Sequence, residues 1–147
     1  MSRELERQTI SDHFLSAWDP ADGVIAWPNK PFETPKKAQF AVFNIVDRGT
    51  VRKSLGVDYF KRYFGTMQID IYVPQDLGTK PSRDIADKLE PIYDSLDLLM
   101  SNGQLLVFGT PTARTLALNE QRAANLEDNW DRLIFEAPYY RDQHVEK

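Results

Sequence analysis

Side chains able to do bond-making chemistry are few and scattered in this sequence. Of two histidines, His13 follows Asp12 and His144 lies near the C-terminus; there is no cysteine. Adjacent residues on a helix do not face each other, so Asp12-His13 is not a dyad by spacing. Asp84 and Asp87 stand three apart near a helix start, where carboxylates serve as caps and solubilising groups. A metal site needs three or four ligands, usually with His or Cys at close spacing, and no such cluster occurs. Ser54, Ser82 and Ser101 have no base nearby in sequence. Phosphate-loop, dinucleotide-binding and nucleophile-elbow motifs are absent. No catalytic residue, cofactor or metal ligand is therefore expected.

The charges are unevenly placed around a net of −4. From Lys36 to Tyr63 there are seven basic and two acidic residues, 7 − 2 = +5; from Asn119 onward there are four basic and seven acidic, 4 − 7 = −3. Such asymmetry can steer one subunit onto the next or bring a phosphate-bearing partner to one face. A solvated surface accounts for it too and is the favoured reading. Arg62, Asp70 and Arg114 sit in strand-like segments, either solvated or lining an interface or pore. Trp27 to Pro35 contains three prolines, which exclude helix and ladder alike. Trp27 and Phe32 would anchor that extended loop; with Pro28 they also form an aromatic–proline surface suited to a partner.

The elements that must carry these residues are organised around Phe60 to Leu96. Met67, Ile69, Ile71 and Val73 alternate with Gln68, Asp70 and Tyr72, the period of a strand with one buried face. The pattern extends back to Phe60, with Gly65 at a change of register that suggests a bulge or bend. Pro74 ends the strand, and Gly78 and Pro81 mark a loop. Ser82 is the expected N-cap of a helix whose stripe is Ile85, Leu89, Ile92 and Leu96. Pro91 would kink or split it.

Residues 2–18 read as a first helix, with Leu5, Ile10, Phe14 and Trp18 close to one face and Asp19-Pro20 and Gly23 ending it. The charged start, MSRELERQ, is not that of a signal peptide. Val24 to Trp27 is a short strand. Gln39 to Val46 is apolar on both faces, as a central strand is. Asp47 to Thr50 reads as a turn, and Val51 to Val57 as a ragged edge strand with Gly56 as a break. Ser101 to Gly103 is a turn, Gln104 to Gly109 a strand, and Ala113 to Leu118 a further apolar alternation. Asn119 to Asn129 is loop-like. Trp130 to Ala137 is expected to close the sheet, with a charged tail frayed from about residue 139. This is an α+β chain: a mixed, mainly antiparallel sheet packed with two main helices, in a single compact domain spanning 1–147. A compact chain of this length has a radius of gyration of about 15 Å. Lack of cysteine fits a reducing cytoplasm, and no apolar run reaches the ~18 residues of a membrane span.

The order of these pieces resembles the tail terminator-like proteins of long-tailed bacteriophages. The resemblance is carried by the helix ending in Trp18; Ile25-Ala26-Trp27-Pro28-Asn29 with Pro31-Phe32 and Pro35; and Gln39-Phe40-Ala41-Val42. Arg62-Tyr63-Phe64-Gly65 running into Ile69-Asp70-Ile71-Tyr72-Val73-Pro74 continues it, followed by the Gly78 loop and the helix from Ser82. It weakens after Leu106. The resemblance implies a virion protein, made in the host bacterial cytoplasm, that forms a hexameric ring on the head-proximal end of the tail tube. Such a ring stops tube polymerisation and offers the head a joining surface, while DNA passes through its lumen unread. Implied partners are further copies of the chain, the tail tube protein and a head-completion or neck protein, with no membrane. Subunit or partner contacts are expected at Trp27, Pro28, Phe32, Arg48, Arg52 and Arg62. The alternatives are another neck or tail-completion protein, a small cytosolic α+β enzyme without a recognisable motif, and a nucleic-acid-binding module using the basic stretch.

Overall fold

The computed structural model describes residues 2–28, 30–33, 35, 38–74, 80–115 and 130–145. Helix α1 (Ser2–Ala17) is followed by a 3-10 turn (Pro20–Asp22), then strands β1 (Val24–Ala26), β2 (Phe40–Arg52) and β3 (Tyr59–Pro74). Helix α2 (Lys80–Tyr93) precedes β4 (Asp97–Leu99), β5 (Leu105–Phe108), β6 (Thr112–Thr115) and β7 (Trp130–Val145). The seven strands form one curled mixed sheet in the order β1-β2-β3-β7-β5-β4, with β6 also on β7. Only β1 with β2 is parallel among the described pairs. The class is α+β.

Three long strands dominate. β3 pairs with β7 along its whole length, from Tyr59↔Val145 to Pro74↔Trp130, and with β2 from Phe40↔Tyr72 to Arg52↔Lys61. Strand alternation puts Ala41, Phe43, Met67, Ile69, Ile71, Val73, Leu133, Phe135, Ala137 and Tyr139 on one face. These form a single buried cluster with Ile10 and Phe14 of α1, Trp18 just beyond it, and Ile85, Leu89 and Tyr93 of α2. Burying a large apolar side chain contributes about 1.5–3 kcal/mol, so this face holds the two helices on the sheet. Trp18 also donates its indole N–H to the Gly23 carbonyl at 2.9 Å. Gly23 has φ +122°, and a Cβ there would overlap the Gln39 carbonyl, so only glycine fits the turn into β1.

Several expectations are corrected. Asp47 to Thr50 is not a turn: β2 runs through it to Arg52, with a register shift between Asp47 and Gly49 that leaves Arg48 as the extra residue. The β2–β3 register does change at Gly65, but the extra residue lies on β2, and Gly65 itself stays in register opposite Tyr139 on β7. Gly65 is small for another reason: a Cβ would overlap the Tyr139 ring. β2 is flanked by β1 only over Phe40–Val42, so it is central at one end alone. The helix α2 starts at Lys80, so Ser82 is a buried first-turn residue rather than the cap, and it ends at Tyr93. Pro91 falls in the last turn and splits nothing. Tyr93, not Ile92, completes the buried stripe with Ile85 and Leu89. Ser95 turns the chain with φ 58°, which prevents continuation to Leu96.

The largest correction concerns the C-terminal segment. β7 does not close the sheet at Ala137 and is not frayed from 139; it continues to Val145 in the middle of the sheet. Pro138 cannot donate to a ladder, but its carbonyl accepts the Gly109 N–H at 2.8 Å. Tyr139 and Arg141 beyond it are buried, which holds the segment in place. The expected Gly78 loop and the Asn119 to Asn129 loop lie outside the described residues, as does the end of the Ala113 to Leu118 segment.

Candidate interaction surfaces

One face of the sheet carries the helices; the other presents side chains of opposite character. Along β3 that second face reads Phe60, Arg62, Phe64, Thr66, Gln68, Asp70 and Tyr72. Facing them on β7 are His144, Asp142, Tyr140, Pro138, Glu136, Ile134 and Arg132. The groups are mostly satisfied in pairs. Arg62 makes two parallel bonds to Asp142, at 2.8 and 2.9 Å, with its guanidinium 4.0 Å from the Tyr140 ring centre. That pairing holds the Asp142 carboxyl below the usual carboxylate range. Arg132 donates to Asp70 at 2.6 Å, and Gln68 donates to the same carboxylate at 3.0 Å. The face is thus a neutralised polar–aromatic surface rather than a convergent acid–base site.

The expected contact residues fall at two ends of the molecule. Trp27 packs between Phe14 and Phe43, with ring centres 6.2 and 5.2 Å away, on the helix-covered face. Phe32 lies against Phe40, 5.4 Å away, on the opposite face. Trp27 and Phe32 are thus held by aromatic contacts on opposite faces of the sheet. Pro28 lines a shallow depression beside α1 with Glu4, Arg7 and Asp12.

The three arginines lie at the other end, on the arm made by the far parts of β2, β3 and β7. Arg48, the bulged residue, donates to the Thr66 hydroxyl at 3.2 Å. Arg52 lies 3.9 Å over the Tyr59 ring and donates to the Ser54 and Gly56 carbonyls at 2.9 and 2.6 Å, tying down the hairpin that joins β2 to β3. Arg62 is committed to Asp142. Arg48, Arg52 and Arg62 therefore share one region, distant from Trp27, Pro28 and Phe32, and each already has a partner within the chain.

Sequence reasoning missed two features. One is a buried ionic network at the base of the arm. Arg141 is 1% exposed and Glu6 4%. Arg141 Nε donates to Glu6 at 2.6 Å, and the Tyr139 hydroxyl donates to the other carboxylate oxygen at 3.0 Å. Burial and the neighbouring Glu6 charge push the Tyr139 phenol far above its ordinary range, so it stays a donor. No local pattern marks this network, whose members come from α1 and β7. The other is a set of exposed apolar side chains, Val51, Leu55 and Val57 on the arm and Leu99 and Leu105 at the opposite edge.

His13 is half-buried, with Nδ1 3.1 Å from the Tyr93 hydroxyl and no carboxylate in the contact. Burial lowers its pKa. Among the described residues no cluster of three or more His, Cys, Asp or Glu is placed to hold a metal. No described helix is long and apolar enough to cross a membrane.

A helix-backed sheet with two unlike ends, a self-neutralised open face and exposed apolar edges is the build of a protein that works by association. A family model described as phage tail terminator protein matches residues 8–123, and the chain belongs to that family. It is thereby a structural protein of the phage tail, in a class that associates with other tail and head proteins of the virion. A solved structure is similar over 100% of this chain and 99% of its own length, with a TM-score of 0.64 at 18% identity; that likeness is one of fold. No curated protein matches the sequence.

Proposed function

We propose that the protein caps the head-proximal end of the tail tube of a long-tailed phage. It stops tube polymerisation and provides the surface on which head-completion or neck components join. It acts as a hexameric ring, with DNA passing through the lumen without specific contacts, and it needs neither catalysis nor a cofactor. It is made in the bacterial cytoplasm and remains in the virion without a membrane partner. The observation that carries the reading is the family match across most of the chain. The fold supports it: a ring contact is heterologous, so each copy needs two different complementary surfaces, and this sheet has two edges of unlike composition. Pro28 and Arg48 are the candidate partner contacts whose removal least disturbs the fold. Trp27, Phe32, Arg52 and Arg62 act by shaping the surfaces beside them.

The test is tube growth. Purified tail-tube subunits are polymerised with increasing amounts of this protein, and tube lengths are measured by electron microscopy. Shortened, capped tubes at about six copies per tube end are expected from a closed ring. Growth unchanged at a large excess over tube ends overturns the reading. Binding to a head-completion protein alone would place the chain elsewhere in the neck.

A further inference from the structure

The β2–β3 and β4–β5 turns point to the same end of the molecule. The β2–β3 turn lies beyond Arg52↔Lys61, and the β4–β5 turn lies beyond Leu99↔Leu105. They stand on opposite sides of the sheet, because β3, β7 and β5 separate β2 from β4. Four inter-strand steps amount to about 19 Å at the usual ~4.8 Å spacing.

The two sides carry complementary chemistry. The arm tip exposes Leu55 (92%) and Val57 (68%), flanked by Lys53 and Lys61. Lys53 has no ion-pair partner among the described residues. On the β4 edge, Leu99 (67%) faces Leu105 (41%) across the strand pair. Beside them opens a groove of about 470 Å³ lined by Phe60, Leu105, Val107 and Tyr140. Asp97 lies on the same side of β4 as Leu99, and Asp94 precedes it in the turn from α2. Both are exposed and neither forms an ion pair among the described residues.

We infer that the partner of each surface is a second copy of this chain: the arm tip of one copy, Leu55 and Val57, seats on Leu99, Leu105 and the adjoining groove of the next. Lys53 and Lys61 meet Asp94 and Asp97 at the rim. An apolar centre with a charged rim is the usual anatomy of a specific contact, and opposite charges set its register and speed its formation. Because knob and socket lie at the same end but on opposite edges, the contact repeats around an axis and can close. This inference rests on the assembly reading above and names its subunit contact.

The chain contains no cysteine, so Val57→Cys and Leu99→Cys provide clean single thiols at exposed positions. The two variants are mixed, free in solution and on the ends of purified tail tubes, and treated with a short bis-maleimide. A cross-linked dimer about tenfold above either variant alone is expected for a heterologous contact, and a chain carrying both cysteines should give a ladder of higher multimers. Self-cross-linking of a single variant, or no 57–99 product in either setting, overturns the contact. Lys53→Glu with Lys61→Glu, and separately Asp94→Lys with Asp97→Lys, should each abolish the product, and combining the two reversed partners should restore it. Cysteine variants that halt tube growth without giving the 57–99 cross-link leave the capping function standing and remove this contact. A 57–99 cross-link without any effect on tube growth does the reverse.

Discussion

Arg141, near the end of β7, donates to Glu6 in the second turn of α1 at 2.6 Å, across 135 positions of the chain. The guanidinium also donates to Gln104 and Gln143, each at 3.1 Å, and lies 4.1 Å from the Tyr63 ring centre. One buried side chain thus joins the first helix, the β4–β5 turn and the base of the arm. Removing one partner leaves the other charged and buried, which costs about 3–5 kcal/mol. Arg141→Met should lower urea-unfolding stability by about that amount. Glu6→Leu combined with Arg141→Met should cost clearly less than the sum of the single changes. Additive losses would show that the pair does not act as a unit.

Gly65 leaves room for the Tyr139 ring on the next strand. Gly65→Ala should destabilise by about 1–3 kcal/mol, the usual cost of forcing extra volume into a packed site. The same change in a Tyr139→Leu background should cost much less. An equal cost in both backgrounds would assign the glycine to backbone freedom instead.

Trp27 packs on Phe14 and Phe43, whereas Pro28 lies at the surface beside α1. Trp27→Ala should cost up to about 3–5 kcal/mol, as for a large aromatic removed from a core. Pro28→Ala should change stability by no more than about 0.5 kcal/mol. Thermal unfolding of both variants checks this; a Trp27→Ala protein of unchanged stability would make the side chain a free docking group.

His13 titrates against folding. Burial depresses its folded-state pKa below the ordinary value of about 6.5, and the Tyr93 hydroxyl lies at Nδ1. Desolvation keeps the Tyr93 proton on well above neutral pH, so the phenol can donate to the unprotonated ring nitrogen. The unfolded chain binds this proton more readily than the folded one. The contribution of His13 is therefore fully present above about pH 6.5 and is lost as pH falls through the lower folded value. Melting temperature should drop between pH 7 and 5, and His13→Gln should flatten part of that slope. An unchanged slope would clear His13 of the effect.

Arg62 and Asp142 form a half-exposed, two-bond pair on the open face. Arg62→Glu should weaken the arm by setting two carboxylates together, and Arg62→Glu with Asp142→Arg should recover folding. If the swapped protein also assembles at low and high salt, the charge at 62 serves the fold; if it folds but fails to assemble, the arginine itself meets a neighbour.

Periodicity made much of this legible from residues alone. Ile10, Phe14 and Trp18, the alternation from Met67 to Val73, and Ile85 with Leu89 declare one buried face each, because apolar burial follows the period of the element. The length of β7 was hidden. Pro138 and a charged ending look like a frayed tail until β3 is seen to need a partner along all of Tyr59–Pro74. The bulge at Arg48 looks like a turn for the same reason: Asp-Arg-Gly-Thr has turn chemistry locally, and only pairing with Phe64 and Tyr63 keeps it extended.

The sequence by itself determined the α+β class, the absence of any reactive motif, the buried face of the first helix, the Ile85 and Leu89 part of the second, and the order of pieces that resembles a tail terminator. Those properties are local or compositional, and each residue carries its own share of them. Only the tertiary structure decided that Glu6 meets Arg141, that Gly65 meets Tyr139, and that the basic arm tip and the acidic β4 edge stand on opposite sides of one end. Those relationships join segments up to 135 positions apart, and strand order, which local spacing does not encode, is what brings them together or sets them apart.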